Sequence, residues 1–471
     1  MTKKRVALVR YSPGYFLPFG QELQAAGFEV FWINSLKSDG YQLAAAGVPE
    51  YQWLDTTADF QPDEMPIEKC RERLGALERE VEGPRIYDII MMDRRLREKS
   101  TDFSLRYLAH LEQVVSAYLT SRRIDLVTSG RDTALQILTM LICRRLGIPW
   151  VAPTRARIPQ ELYGFCQRHD TETMISFRSI TEDDRAWAEA YLAQFRMGTQ
   201  RPALKKSARS FGDVLKLLPR HAVAFFDELK KSRVDSGNNF ARYTIPALMA
   251  MYCRRRLNML SYKISPPYQP PGRGPFALYA LHTQPESSID VVGSYFSDQI
   301  HLVRTIARSL PATHELYVKV HPTDVDGQRA SFYRALAAIP GVRLIGHQLD
   351  SRALLVRASL LFALTGTIAY EAGLLGRPVI VFARNYFNAL PTIHYCASPP
   401  QLPTLIDAVL DKEAPKDLDE QLIEFLAKLR ASCFDGEINR TYGTSSSPLH
   451  ADDLTALRQA YERIMRQLVC G

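Results

Sequence analysis

Residues 276–286 read Phe-Ala-Leu-Tyr-Ala-Leu-His-Thr-Gln-Pro-Glu. Six apolar residues in a row fit a strand buried on both faces of a parallel sheet, and the polar run after Leu281 marks its end. The same figure recurs downstream. Glu315–Val320 runs into His321-Pro322, Val342–Ile345 into a loop ending at Asp350, and Leu360–Leu364 into Thr365-Gly366-Thr367; Pro378–Phe382 follows. Helical stretches fill the gaps at Ser297–Ser309, Gln328–Ala338 and Ala369–Leu375. Strands alternating with helices predict a parallel sheet with helices on its faces.

Upstream, residues 266–275 are Pro-Pro-Tyr-Gln-Pro-Pro-Gly-Arg-Gly-Pro, a linker by composition. The alternation is present before it as well. Arg5–Arg10 reads as a strand, Pro13-Gly14-Tyr15 as a loop, Phe19–Ala26 as a helix and Phe28–Ile33 as the next strand. Asp125–Thr128 and Trp150–Ala152 are later strands joined by a helix at Ala134–Leu146. A charged helical region from Ile67 to Arg122 interrupts them, with a break at Gly83-Pro84. The uncharged stretch Asn385–Ile406 holds four prolines and reads as loop, and Ala451–Leu468 as an amphipathic helix. The expected fold class is α/β, with two Rossmann-like doubly wound domains. The expected division is 1–200, a basic helical insertion and linker at 201–272, the second domain at 273–440, and a C-terminal helix at 441–471.

A length of 471 residues allows two to four domains at roughly 100–200 residues each. The 46% apolar content excludes a disordered or collagen-like chain. A mean hydropathy of −0.17 and the spread of charge argue against an integral membrane protein. Met1-Thr-Lys-Lys-Arg leads straight into Val6-Ala-Leu-Val9, too short for the apolar core of a signal peptide, so the expected location is cytoplasmic. Seven cysteines, none in a ligand-like spacing, predict reduced thiols and no metal site.

The net charge of +8 is unevenly placed. Residues 201–273 carry 15 Lys/Arg and 4 Asp/Glu, or +11, which leaves −3 for the rest. Apolar residues interleave at near-helical spacing, as in Phe211, Val214, Leu217 and Leu218. Such a stretch fits a solvated helical insertion with a core-facing stripe, and it also fits an anionic membrane surface. No nucleic-acid-binding motif accompanies the charge, so no nucleic-acid partner is expected.

In open parallel sheets ligands bind beyond the carboxyl ends of the strands, so the residues there carry the function. Glu286, fixed behind Pro285, is placed for acid–base or nucleophilic work and equally for ordinary helix capping. His321, before the strand-breaking Pro322, can donate to a phosphate or serve as a structural loop residue. Thr365, Gly366 and Thr367 open a helix, where hydroxyls and unpaired N–H groups make an anion site or a plain cap. Glu371 lies one turn into that helix, and Asp350 could accept from ribose hydroxyls. In the first domain, Asp132 of Ser129-Gly-Arg-Asp132 is a candidate for acceptor or donor-sugar contact, or a helix cap.

At these residues the second domain resembles the CMP-sugar-using GT-B enzymes of bacterial surface polysaccharide synthesis, nearest the capsule and lipopolysaccharide β-Kdo transferases. The resemblance spans about residues 276–385. It implies that His321-Pro322 and Thr365-Gly366-Thr367 bind the CMP phosphate, that Asp350 holds the ribose, and that the Glu371–Pro378 helix and strand belong to the nucleotide site. Gln284-Pro285-Glu286 looks like the position where those enzymes carry the nucleophilic carboxylate of a retaining double displacement. Here it is Glu where they use Asp, and the first-domain Glu-Asp-Gly signature is absent, with Arg155 and Arg157 in that region.

The resemblance implies catalytic roles for Glu286 and His321, with Asp132 as a further catalytic candidate. Gln284, Arg155 and Arg157 are placed against donor sugar or acceptor. It also implies a site in the interdomain cleft and no cofactor besides the CMP-sugar donor. The expected partners are an oligosaccharide or lipid-linked glycan and an anionic membrane surface, peripherally at the inner membrane. Alternatives are a CDP-glycerol glycerophosphotransferase, with His282 as its second histidine, a UDP-sugar hexosyltransferase or epimerase, and a non-catalytic scaffold.

Overall fold

The computed structural model describes residues 3–62, 64–199, 245–264, 268–321, 327–436 and 451–470. The chain forms two compact units. In the first, β1 (Arg5–Val9), α1 (Pro13–Ala25), β2 (Glu29–Asn34), α2 (Lys37–Ala45) and β3 (Trp53–Asp55) lead into α3 (Ile67–Glu80), α4 (Ile86–Met92) and α5 (Thr101–Ser121). Then come β4 (Leu126–Ser129), α6 (Ala134–Leu146), β5 (Trp150–Arg155) and β6 (Leu162–Cys166).

The second unit holds α7 (Glu182–Met197), α8 (Ile245–Ile264, from Leu248 on), β7 (Phe276–Ala280), α9 (Ser287–Asp290), α10 (Gln299–Ser309), β8 (Glu315–Lys319), α11 (Ala330–Ala337) and β9 (Val342–Ile345). It continues through α12 (Ser351–Arg357), β10 (Leu360–Ala363), α13 (Thr367–Leu374), β11 (Val379–Val381), β12 (Ile393–Tyr395), α14 (Leu402–Leu410) and α15 (Leu418–Ala431). The chain then returns to the first unit with β13 (Phe434–Asp435) and α16 (Ala451–Leu468).

The second sheet runs β9-β8-β7-β10-β11-β12, all parallel. Counted from β7 this is the order 3-2-1-4-5-6 of a Rossmann sheet, and it reverses between β7 and β10. The first sheet runs β3-β2-β1-β4-β5 in parallel and reverses between β1 and β4; β6 and β13 close its edge antiparallel. The expected α/β class with two doubly wound units is therefore present. Each parallel sheet is buried on both faces. Around the second, Tyr279, Val318, Leu344, Phe362 and Ile380 pack against Leu302 and Ile306 of α10 and Leu336 of α11.

Three local expectations are corrected. Pro13 does not sit in a loop but opens α1, where its missing N–H and fixed φ cost nothing. The 67–122 region holds three helices rather than two, since Ser100 caps α5 through its hydroxyl. Asn385–Ile406 is not all loop: Ile393–Tyr395 pairs in parallel with β11. The opening stretch of the first unit runs to His169, and α7, in the second unit, packs on α15. Arg185 pairs with Glu420 and Glu424, Arg196 binds Asp419 through two nitrogens, and buried Asp184 pairs with Arg178 and Arg430.

The expected C-terminal helix exists, and its Tyr461 hydroxyl lies 2.6 Å from Thr128 Oγ1 in the first unit. Of the basic 201–272 segment, residues 201–244 lie outside the described residues; α8 carries Arg254, Arg255 and Arg256. Among the described residues no helix is long and apolar enough to cross a membrane, and no cluster of three His, Cys, Asp or Glu is placed to hold a metal ion. No disulfide joins the seven cysteines, and four of them are buried.

Candidate active site

The reversal of strand order between β7 and β10 opens a crevice at their carboxyl ends. From β7 the chain enters it as His282. The backbone of this residue is locked to Gln299 of α10: His282 N–H donates to Gln299 Oε1 at 2.8 Å, and Gln299 Nε2 donates to the His282 carbonyl at 3.0 Å. The buried imidazole crosses the crevice, and its Nε2 accepts from the Leu364 amide at the end of β10 (3.3 Å). That bond requires an unprotonated Nε2.

The turn after β10 is shaped around this ring. Gly366 has φ +112°, and a Cβ there would meet His282 Cε1 at 3.2 Å, so glycine is needed for both conformation and space. Gly366 stands at the N-cap of α13 with no side chain capping the helix. The first N–H groups of α13 are thus left for another partner. Beside them Thr365 is completely buried, and its hydroxyl has no hydrogen-bond partner among the described residues. A buried, unmatched hydroxyl costs about 1–3 kcal/mol. One next to an uncapped helix N-terminus fits an anion that supplies the missing contacts.

From the other side, β8 contributes Lys319 and His321. Thr283 Oγ1 lies 3.0 Å from His321 Nδ1 and joins the β7 and β8 loops. Solvent reaches the residue, yet the protein packed around the ring, and then the Lys319 ammonium, hold the His321 pKa below the usual histidine value. The following Pro322 lies outside the described residues.

Lys319 was not anticipated. It is 3% exposed, its ammonium reaches the His347 carbonyl at 3.4 Å, and among the described residues no carboxylate pairs with it. Burial lowers its pKa to about 8, against a smaller opposing pull from Asp350. A buried cation that no carboxylate among the described residues neutralises is expensive for folding, which makes it a candidate binding group. Its signal in the sequence was a single lysine at the end of the otherwise apolar Leu-Tyr-Val.

The remaining predicted residues divide. Glu286 is exposed and stands at the N-cap of α9, but its side chain makes no capping bond. Gln284, next to a cis Pro285 bond, is turned inward: its amide nitrogen donates to Asp290 Oδ1 (3.3 Å) and the Ser297 carbonyl (3.4 Å). Asp350 caps α12 by accepting from the Arg352 amide at 3.1 Å. Glu371 pairs with Arg352 at 3.5 Å, and Arg352 in turn donates to the Phe195 and Arg196 carbonyls, tying α13 to the end of α7. The structure therefore brings together His282, Thr283, Lys319, His321 and the Thr365–Thr367 turn, while Gln284, Asp350 and Glu371 hold neighbouring protein groups.

Asp132, Arg155 and Arg157 belong to the first unit. Asp132 is held by both terminal nitrogens of Arg94, at 2.8 and 3.1 Å. Arg155 is exposed at the end of β5, and Arg157 is half-buried with φ +64°.

The segment that builds this crevice is the one with a recognisable family signature. Residues 240–391 match the family described as capsule polysaccharide biosynthesis protein. No curated protein matches the chain's sequence. Among solved structures, similarity is found to the β-Kdo 2,7 transferase KpsC of Thermosulfurimonas dismutans, 10% identical over 70% of this chain and 87% of that one, TM-score 0.32. Its β-Kdo 2,4 transferase is 14% identical over 68% and 88%, TM-score 0.31. The UDP-GlcNAc 2-epimerase of Neisseria meningitidis is 12% identical over the whole of both chains, TM-score 0.29.

Proposed function

We propose that the protein is a glycosyltransferase of surface polysaccharide synthesis that uses a CMP-activated ulosonic acid donor such as CMP-Kdo. The observation that carries the phosphate site is the buried Thr365 hydroxyl, unpartnered among the described residues, beside the uncapped N-terminus of α13. The capsule-family match over 240–391 supports the polysaccharide context, and the motif resemblance supports the CMP donor.

In this reading the donor phosphate sits between the α13 N-terminus and the His321–Thr283 pair, with the Lys319 charge behind it. As the bond from the anomeric carbon to phosphate oxygen breaks, negative charge grows on the leaving CMP. Fixed donors in a water-poor site stabilise that charge, the term that usually dominates such catalysis. The Glu286 carboxylate forms a bond to the anomeric carbon as CMP leaves, and an acceptor hydroxyl, passing its proton to solvent, later displaces the carboxylate with retention.

The glycerophosphotransferase reading needs His282 as a second active histidine. Its Nε2 lone pair is engaged by the Leu364 amide, which favours a positioning role instead. The test is turnover of CMP-Kdo with a capsule-type acceptor. Wild type should release CMP; Glu286→Gln and His321→Ala should lose most of that activity. Near-normal turnover in either would remove that residue from the mechanism.

A further inference from the structure

A second cavity lies wholly in the first unit, between α3, α5 and the segment after β3. It measures about 770 Å³, within the range of small-molecule sites. It borders the carboxyl end of the sheet, because its wall residue His110 bonds the carbonyl of Thr56, the first residue after β3, at 3.1 Å. A carbonyl only accepts, so His110 Nε2 carries the proton. Burial keeps the His110 pKa below its usual value, so the neutral ring offers Nδ1 as an acceptor.

The charge on the walls is mostly positive. Lys69, Arg73, Arg106 and Arg145 line the cavity against Glu64 and Glu72. Two of the arginines are held in place from below by Glu112, which is 1% exposed. Arg73 donates to one of its oxygens, and Arg145 and Ser116 donate to the other. Burial alone would raise the Glu112 pKa, but the hydrogen bonds from Arg73 and Arg145 outweigh it and keep the group ionised. A buried carboxylate that orients two guanidinium groups resembles the support shell of a binding site more than a random surface cluster. Guanidinium groups match carboxylate and phosphate, and the neutral acceptors of His110 and Gln113 match hydroxyls.

We infer that this cavity binds an acidic saccharide, with Lys69, Arg73, Arg106 and Arg145 facing its carboxylates and His110 and Gln113 its hydroxyls. Its identity as an acceptor subsite rests on the transferase reading; binding of the acidic sugar does not.

The test is calorimetric titration of the full chain with digalacturonate, the neutral galactose dimer and inorganic phosphate, beside a CMP titration. Wild type should bind digalacturonate at least tenfold tighter than either comparison ligand. Lys69→Gln, an exposed site on α3, should weaken it severalfold, and Lys69→Gln with Arg106→Gln should abolish the preference, with CMP binding and the melting curve unchanged. Equal affinity for acidic and neutral dimers, or a double variant that folds and binds as wild type, overturns the inference. Phosphate binding as tightly as digalacturonate overturns the saccharide assignment. Digalacturonate binding without CMP binding would retain the cavity and remove the transferase reading.

Discussion

The two units place the same topological feature, a reversal of strand order, in opposite chemical states. In the first, the groups at the ends of β1 and β4 satisfy one another. Tyr11, Thr128 and Tyr461 share a buried hydroxyl cluster, Ser129 Oγ accepts from Trp150 and donates to Gly130, and Asp132 is locked by Arg94. In the second, the ends of β7, β8 and β10 keep, among the described residues, a buried unmatched hydroxyl, an uncapped helix and a buried ammonium without a carboxylate. The proposed reading places an anion in the second crevice, where it would supply the missing contacts. Sites that violate the folding rules of their surroundings are where function is expected.

The comparison can be broken at several points. The largest effect belongs to Glu286→Gln, with kcat reduced by about 10⁴-fold or more, the scale seen when a nucleophile is removed. His321→Ala should lower kcat by about 10²–10³-fold, as for loss of one charge-stabilising donor; both are read by CMP release. Thr365→Val should weaken CMP binding by about tenfold or more, while the melting temperature stays equal or rises because an unmatched buried hydroxyl is gone. A lower melting temperature with unchanged binding would mean that the hydroxyl has a protein partner.

Lys319→Met separates folding from binding through pH. The folded-state pKa of about 8 lies below the ordinary 10.5. Below pH 8 the lysine is charged in both states, and the folded state carries the desolvation cost, roughly 1–3 kcal/mol. Between pH 8 and 10.5 the folded state sheds the proton first, so wild-type stability climbs relative to the variant. The variant should therefore melt higher at pH 7, lose that advantage by about pH 10.5, and bind CMP more weakly at pH 7. A variant less stable at pH 7 would contradict the assignment. The smallest effect is expected in the first crevice: Asp132→Asn should cost under about 1 kcal/mol, as for a partly exposed ion pair, and leave CMP affinity unchanged.

Much of this was legible from the chain. Apolar runs such as Phe276–Ala280 and Leu360–Ala363 announce buried parallel strands, and His321 and Thr365 stand where those strands must end. What escaped depends on distant partners. The run Ile393–Tyr395 is too short and too near prolines to read as a strand until β11 lies beside it. The packing of helix α7 is not visible either, because its acidic partners, Asp419, Glu420 and Glu424, lie more than 200 residues on. Lys319 escaped because a lysine ending a strand is ordinarily solvated; only the packing around β8 shows its burial. Nor does a sequence reveal the contacts of Asp350 with the Arg352 amide, of Gln284 with Asp290 and Ser297, or of Glu371 with the Arg352 guanidinium.

The central claim is that the crevice between β7 and β10 is built for the phosphate of a cytidine nucleotide. Calorimetric titration with CMP, CDP, UMP and UDP tests it most directly. The account predicts CMP as the tightest ligand, with binding lost in His321→Ala. Preference for UDP would contradict the donor assignment and point to a hexosyltransferase. CDP over CMP would point to glycerol phosphate transfer, and no nucleotide binding at all would contradict the anion site itself.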